Sequence, residues 1–154
     1  GQPLSWPADP VRLQVAAAVA AAVLTGKPTQ VEWDRGERLG TQAWRRFSVL
    51  ASGGSLESLS EAPAIGSGGI VYIERSYTLT VYYERGKNKQ SLGADSDALT
   101  DDAERFIGAL LRMDYDTPTT GLMRLKPETW NIVELPNGAL STEIELSALV
   151  RREL

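Results

Sequence analysis

The chain has 154 residues, 42% of them hydrophobic and 23% charged, with a formal net charge of −4; that length and balance fit a single globular domain spanning 1–154. It contains neither cysteine nor histidine, which excludes disulfides, thiol catalysis, thiolate metal sites and histidine-based acid–base or zinc chemistry. The acidic balance argues against a bulk nucleic-acid binder, which presents a basic face.

Residues 1–8 (GQPLSWPA) read as a short N-terminal arm carrying two prolines and an isolated Trp6. Asp9 and Pro10 then suit the cap and first position of a helix over Val11–Leu24. Gly26 and Pro28 supply the stop. The apolar run Val15–Leu24 has about half the length of a membrane span. What precedes it contains proline and aspartate, with Arg12 as its one positive charge, so it does not read as a signal peptide either. The expected compartment is a reducing one. Beyond Val15 this helix has no charged face, which leaves two readings open. Outward alanines tolerate water and raise helicity, or the helix lies between its own sheet and a neighbouring subunit. Ala18 and Ala22, one turn apart, mark the flank that decides between them.

A short strand over 29–34, a polar turn over 35–41 and a strand over 42–50 follow. Arg45 and Arg46 stand between Trp44 and Phe47, and Lys87 and Lys89 sit at a later turn. These are the basic–aromatic features of the chain, suited to an acidic partner or simply to a solvated edge. Residues 52–69 read as a long loop rich in glycine and serine, with Leu56, Leu59 and Ile65 as its apolar anchors. The clearest strand is 70–84. Val71, Ile73, Tyr77, Leu79, Val81 and Tyr83 alternate there with Glu74, Ser76, Thr78, Thr80 and Glu84. A second helix is expected with Thr100 as its cap, Asp101 and Asp102 in its first turn, and a stripe of Phe106, Ile107, Leu110, Leu111 and Met113. Strands over Thr129–Leu135 and Leu140–Arg151 complete the chain, joined through Asn137-Gly138. The expected fold class is α+β: a mostly antiparallel sheet of about four to five strands with two main helices packed on one face.

The candidate chemical motifs fail on inspection. A calcium loop starting at Asp95 needs glycine and a bidentate glutamate at fixed spacing, and Thr100 and Phe106 stand there instead. Gly66–Gly69 lacks the Lys-Ser/Thr of a phosphate loop. Asp114 and Asp116 flank Tyr115 with no third group to order them. No catalytic, cofactor-binding or metal-binding residues are expected, and the chain does not read as an enzyme.

The helix Val11–Leu24, the strand VYIERSYTLTVYYE, the helix LTDDAERFIGALLRM and the ending TWNIVELPNGALSTEIELSALVRREL together resemble the tail terminator proteins of long-tailed bacteriophages and gene transfer agents. The likeness is architectural, covers about 120 residues and carries no catalytic motif. It implies a structural virion protein at the neck–tail junction, assembled in the host cytoplasm. The implied partners are further copies of itself in a homohexameric ring, the tail tube protein, and a head–neck connector or stopper protein. DNA is implied as a passing occupant of the lumen without sequence readout, and no membrane is involved. The interface candidates are Trp6, Ala18, Ala22, Arg45, Arg46, Leu56, Leu59, Ile65, Lys87 and Lys89. Another neck or tail-completion protein, or an unrelated small α+β binding module, are the alternatives.

Overall fold

The computed structural model describes residues 7–22, 29–30, 46–56, 69–83, 92–135 and 140–153. Its elements run α1 (Pro10–Ala21), β1 (Thr29–Gln30), β2 (Arg46–Leu56), β3 (Ile70–Tyr83), α2 (Leu92–Leu111), α3 (Thr117–Thr120), β4 (Leu122–Glu134) and β5 (Leu140–Glu153). The sheet order is β1-β2-β3-β5-β4. Each of the four long strands is antiparallel to its neighbours among them, and β1 adds a two-residue parallel pairing at Arg46 and Phe47. This is the expected α+β fold: four antiparallel strands and two main helices.

Alternation in β3 and β5 decides which face holds the core. Tyr77, Leu79, Val81 and Tyr83 point to one side with Leu140, Thr142, Ile144, Leu146, Ala148 and Val150, and all are buried. Phe47 and Val49 of β2 join them. Val11, Val15, Ala16 and Val19 of α1 cover this face together with Leu99, Phe106 and Leu110 of α2. Both helices therefore share one side of the sheet, and their apolar residues form a single cluster with the strands. Among the described residues the other side carries no helix. Glu74, Thr78, Glu143 and Glu145 line it half-buried, tied by Thr78 Oγ1 to Glu145 (3.1 Å) and by Ser147 Oγ to Glu74 (2.7 Å).

Helix α1 starts as its sequence predicts: Pro10 is at the first turn, and Asp9 Oδ1 accepts from the Val11 amide at 3.0 Å. It ends at Ala21, ahead of the expected Leu24, and three other boundaries differ by more. Ser52–Leu56 belongs to β2 and not to a loop. A bulge between Ala51 and Gly53 puts Gly53 at φ +134°, and a Cβ on Gly54 would lie 2.5 Å from the Glu74 carbonyl oxygen. These glycines let the strand bend and approach β3, and they do not mark its end. Helix α2 starts at Leu92, so Thr100 is an interior residue whose hydroxyl donates to the Ser96 carbonyl at 2.8 Å, and Asp101 and Asp102 lie mid-helix. That bond back along the helix replaces the expected cap. Strand β4 starts at Leu122, ahead of Thr129, because bulges at Met123 and Glu128 break the alternation that would have revealed it.

The bulges leave a regular block in the middle of the sheet. Five successive rows cross all four long strands, from Arg46–Tyr82–Ser141–Val133 to Leu50–Thr78–Glu145–Thr129. The bulges of β2 and β4 flank the next row, Ala51–Tyr77–Leu146–Pro127, on either side.

Candidate functional site

Two places on the helix side of the sheet gather side chains that the core does not absorb. The first is a shallow groove of ≈ 340 Å³ between α1 and α2, lined by Ala18, Ala21, Ala22, Arg105, Ala109 and Arg112. Its floor follows from the sequence of α1. Val11, Val15 and Val19 turn inward, Leu13, Ala17 and Ala21 turn to solvent, and Ala18 and Ala22 fall on the half-buried flank beside α2. Higher up that flank Gln14 donates its amide to the Asp114 carbonyl (2.6 Å), joining α1 to the segment after α2. Small side chains let the two helices run close, and they leave a smooth apolar strip open to solvent.

The α2 wall of the groove carries two arginines. Arg105 is held by Asp101 one turn earlier (2.9 Å), which raises its pKa above the ordinary arginine value. Arg112 folds back over Gly108, where a Cβ would sit 3.2 Å from its guanidinium. The glycine makes room for that arginine to lie along the helix. On a chain with net charge −4, an alanine floor bordered on its α2 side by Arg112 and the ion-paired Arg105 is suited to an apolar surface with an acidic rim.

The second place is an open cleft of ≈ 890 Å³ where the start of α1, the helix α3 and the ends of β3 and β5 meet. Its charged groups are largely engaged with each other. Asp9 caps α1, accepts from Tyr77 Oη at 2.6 Å, and pairs with Arg75 at 3.2 Å. Arg151 pairs with Glu153 at 3.3 Å. Burial, and then the Asp9 carboxylate, push the Tyr77 pKa up to about 12, so its hydroxyl stays protonated as the donor to Asp9. A carboxylate engaged by three donors has no role as a general base, and the cluster fastens α1 to β3. A parallel fastening joins β3 to the middle of α2, where Tyr83 Oη donates to the buried Asp102 at 2.8 Å.

Of the expected interface residues, the structure brings Ala18 and Ala22 together on one groove. Arg46 opens β2, half-buried, between Thr29 of β1 and Tyr82 of β3, away from that groove. Leu56 ends β2 opposite Ile73. Trp6, Arg45, Leu59, Ile65, Lys87 and Lys89 lie outside the described residues. The sequence reading missed Arg105, Ala109 and Arg112. Their helix was legible, but the flank that α1 meets was not. It also missed Arg75 and Tyr77 as partners of Asp9, a contact made across more than sixty positions of sequence. Comparison with known proteins finds no family model that matches the chain, and no curated protein sequence matches it either.

Proposed function

We propose that this chain is a structural subunit that associates with copies of itself into a ring of the tail-terminator type, closing a tail tube and meeting a head–neck connector. The observation that carries this reading is the groove between α1 and α2. Its alanine floor is half-exposed in the single chain, and the exposed Arg112 on its α2 side complements the acidic balance of the rest of the molecule. In the second cleft Asp9 and Arg75 are tied up in fastening α1 to the sheet and Arg151 pairs with Glu153, which favours a scaffold over a catalyst.

The experiment is sedimentation of the full chain, alone and with tail tubes, compared with the double variant Ala18→Lys/Ala22→Lys. The wild type should sediment as a multi-subunit species and bind tube ends. Two lysines on the groove floor should shift it towards the monomer while its circular dichroism spectrum stays that of an α+β domain. A wild type that remains monomeric at tens of micromolar and ignores tubes would leave the reading without support, and a small α+β binding module would take its place.

A further inference from the structure

Tyr115 stands between two aspartates in the turn after α2, and its phenol ends on the backbone of β4. Its oxygen accepts from the Leu125 amide at 3.1 Å and donates to the Leu125 carbonyl oxygen, 3.4 Å away. In an antiparallel ladder the amide and carbonyl of one residue point to the same side. One phenol oxygen meets both, so this pair turns away from β5, in which Leu125 opposes Ala148. It faces the outer edge of β4, the last strand on that side of the sheet among the described residues.

The same reasoning places Pro127. It lies two residues further along with no bulge between, so its nitrogen also points outward, the side on which a strand tolerates proline. Bulges at Met123 and Glu128 bound this stretch. Between them the outward-facing residues are Leu125 and Pro127, and neither offers a free amide: proline has none, and Tyr115 holds the other. The phenol is fixed there from both flanks. The Asp114 carbonyl accepts from Gln14 of α1 at 2.6 Å, and the Asp116 carbonyl accepts from the amides of Thr119 and Thr120 at 3.1 and 2.8 Å.

We propose that Tyr115 is an edge lock: its hydroxyl stands in for a neighbouring strand at Leu125 and keeps the first half of the β4 edge from pairing with a strand of a second copy. While the phenol stays in place, no strand can pair with Leu125. Without it, Leu125 would supply the one complete outward donor–acceptor pair between the two bulges, and strand addition needs such a pair to set its register. Arg124 and Lys126 add charge on either side of this row. The hydroxyl alone acts on the backbone groups themselves. The lock belongs to the folded subunit and goes beyond the ring reading, on which it does not depend.

Tyr115→Phe deletes the hydroxyl and keeps the ring. Tyr77→Phe is the comparison, because it removes a buried phenol hydroxyl bonded to Asp9 and Arg75 and not to β4, and it should cost more stability. In the wild type, amide-resolved hydrogen exchange should find Leu125 protected although its amide turns away from β5. In Tyr115→Phe that amide should exchange roughly three- to tenfold faster. Incubated at equal concentration, with native circular dichroism spectra at the outset, Tyr115→Phe should form thioflavin-positive aggregates faster than wild type and faster than Tyr77→Phe. A wild-type Leu125 amide that exchanges like an open one would overturn the lock without recourse to any variant, and so would an unchanged rate in Tyr115→Phe. Faster exchange at Leu125 with aggregation no faster than that of Tyr77→Phe would overturn it too, since the bond would then fasten the turn without guarding the edge.

Discussion

Replacing Asp9 with alanine removes one carboxylate that does three things at once. It caps α1 through the Val11 amide, accepts the Tyr77 hydroxyl and pairs with Arg75. Loss of the cap costs about 1 kcal/mol. The buried Tyr77 hydroxyl would lose its acceptor, at roughly 1–3 kcal/mol. The Arg75 pair is partly exposed, with side chains 19% and 27% accessible, and screening limits its share to about 0.5 kcal/mol. Because one group carries all three, the sum is not additive, and about 2–4 kcal/mol is expected. For a chain of this size that lowers Tm by roughly 4–16 °C. Asp9→Asn is the informative companion: its one amide oxygen, at the Oδ1 position, keeps the cap on the Val11 amide, while its NH2, at the Oδ2 position, cannot accept from Tyr77. It should cost about 1–2 kcal/mol, less than alanine. Urea unfolding followed by circular dichroism measures both. An alanine variant within 0.5 kcal/mol of wild type, or an asparagine variant as damaged as alanine, would refute the assignment of Asp9 as the fastening between α1 and β3.

Leu79→Asp places an unpaired charge in the core and should unfold the chain, at a cost on the order of 4 kcal/mol or more, read by loss of the cooperative urea transition. Thr80→Asp faces the helix-free side but stands directly across from Glu143, so it should fold with a penalty of about 0.2–1 kcal/mol that added salt reduces. Gly121→Ala meets two obstacles, a φ of +75° and a Cβ 2.3 Å from the Arg151 carbonyl oxygen, and should cost about 1–3 kcal/mol in the same assay. The raised Tyr77 pKa makes a signed claim about alkali. Because the folded pKa lies above the unfolded one, the stabilisation linked to this proton is complete below about pH 10. It is lost as pH rises through about 12, by an amount on the order of 2–3 kcal/mol. Tyr77→Phe should be less stable at neutral pH and lack that part of the alkaline decline. Equal pH slopes for the two proteins would count against the Asp9–Tyr77 bond.

Much of the fold was legible where a strand is unbroken and one face is buried. In β3 and β5 the inward residues alternate without a fault from Tyr77 to Tyr83 and from Leu140 to Val150, and pattern maps onto face directly. The start of α1 was legible because Asp9-Pro10 is a local signal. Where the chain bulges, the period slips: Gly53-Gly54 imitates a loop, and the half of β4 before Thr129 loses its alternation at Met123 and Glu128. Helix α2 hides its first two turns behind Gly93, Asp95, Ser96 and Asp97, residues that favour turns until tertiary packing fixes them in a helix. The groove was half legible. Ala18 and Ala22 stand out on α1, while Arg105, Ala109 and Arg112 acquire meaning only when two helices lie side by side.

The place of β5 in the sheet sets an order of events for folding. It pairs with β3 on one side and β4 on the other, yet both precede it in the chain. The whole of α2, α3 and β4 separates β3 from the strand it needs. Bringing such distant segments together costs loop entropy before any contact repays it, which slows folding. As the chain emerges from a ribosome, β2 and β3 can meet early, but the inner edges of β3 and β4 remain bare until the final strand is released. During that interval the growing chain presents two open strand edges to its neighbours. The sheet order thus builds an aggregation-exposed step into folding that the stability of the finished domain does not describe.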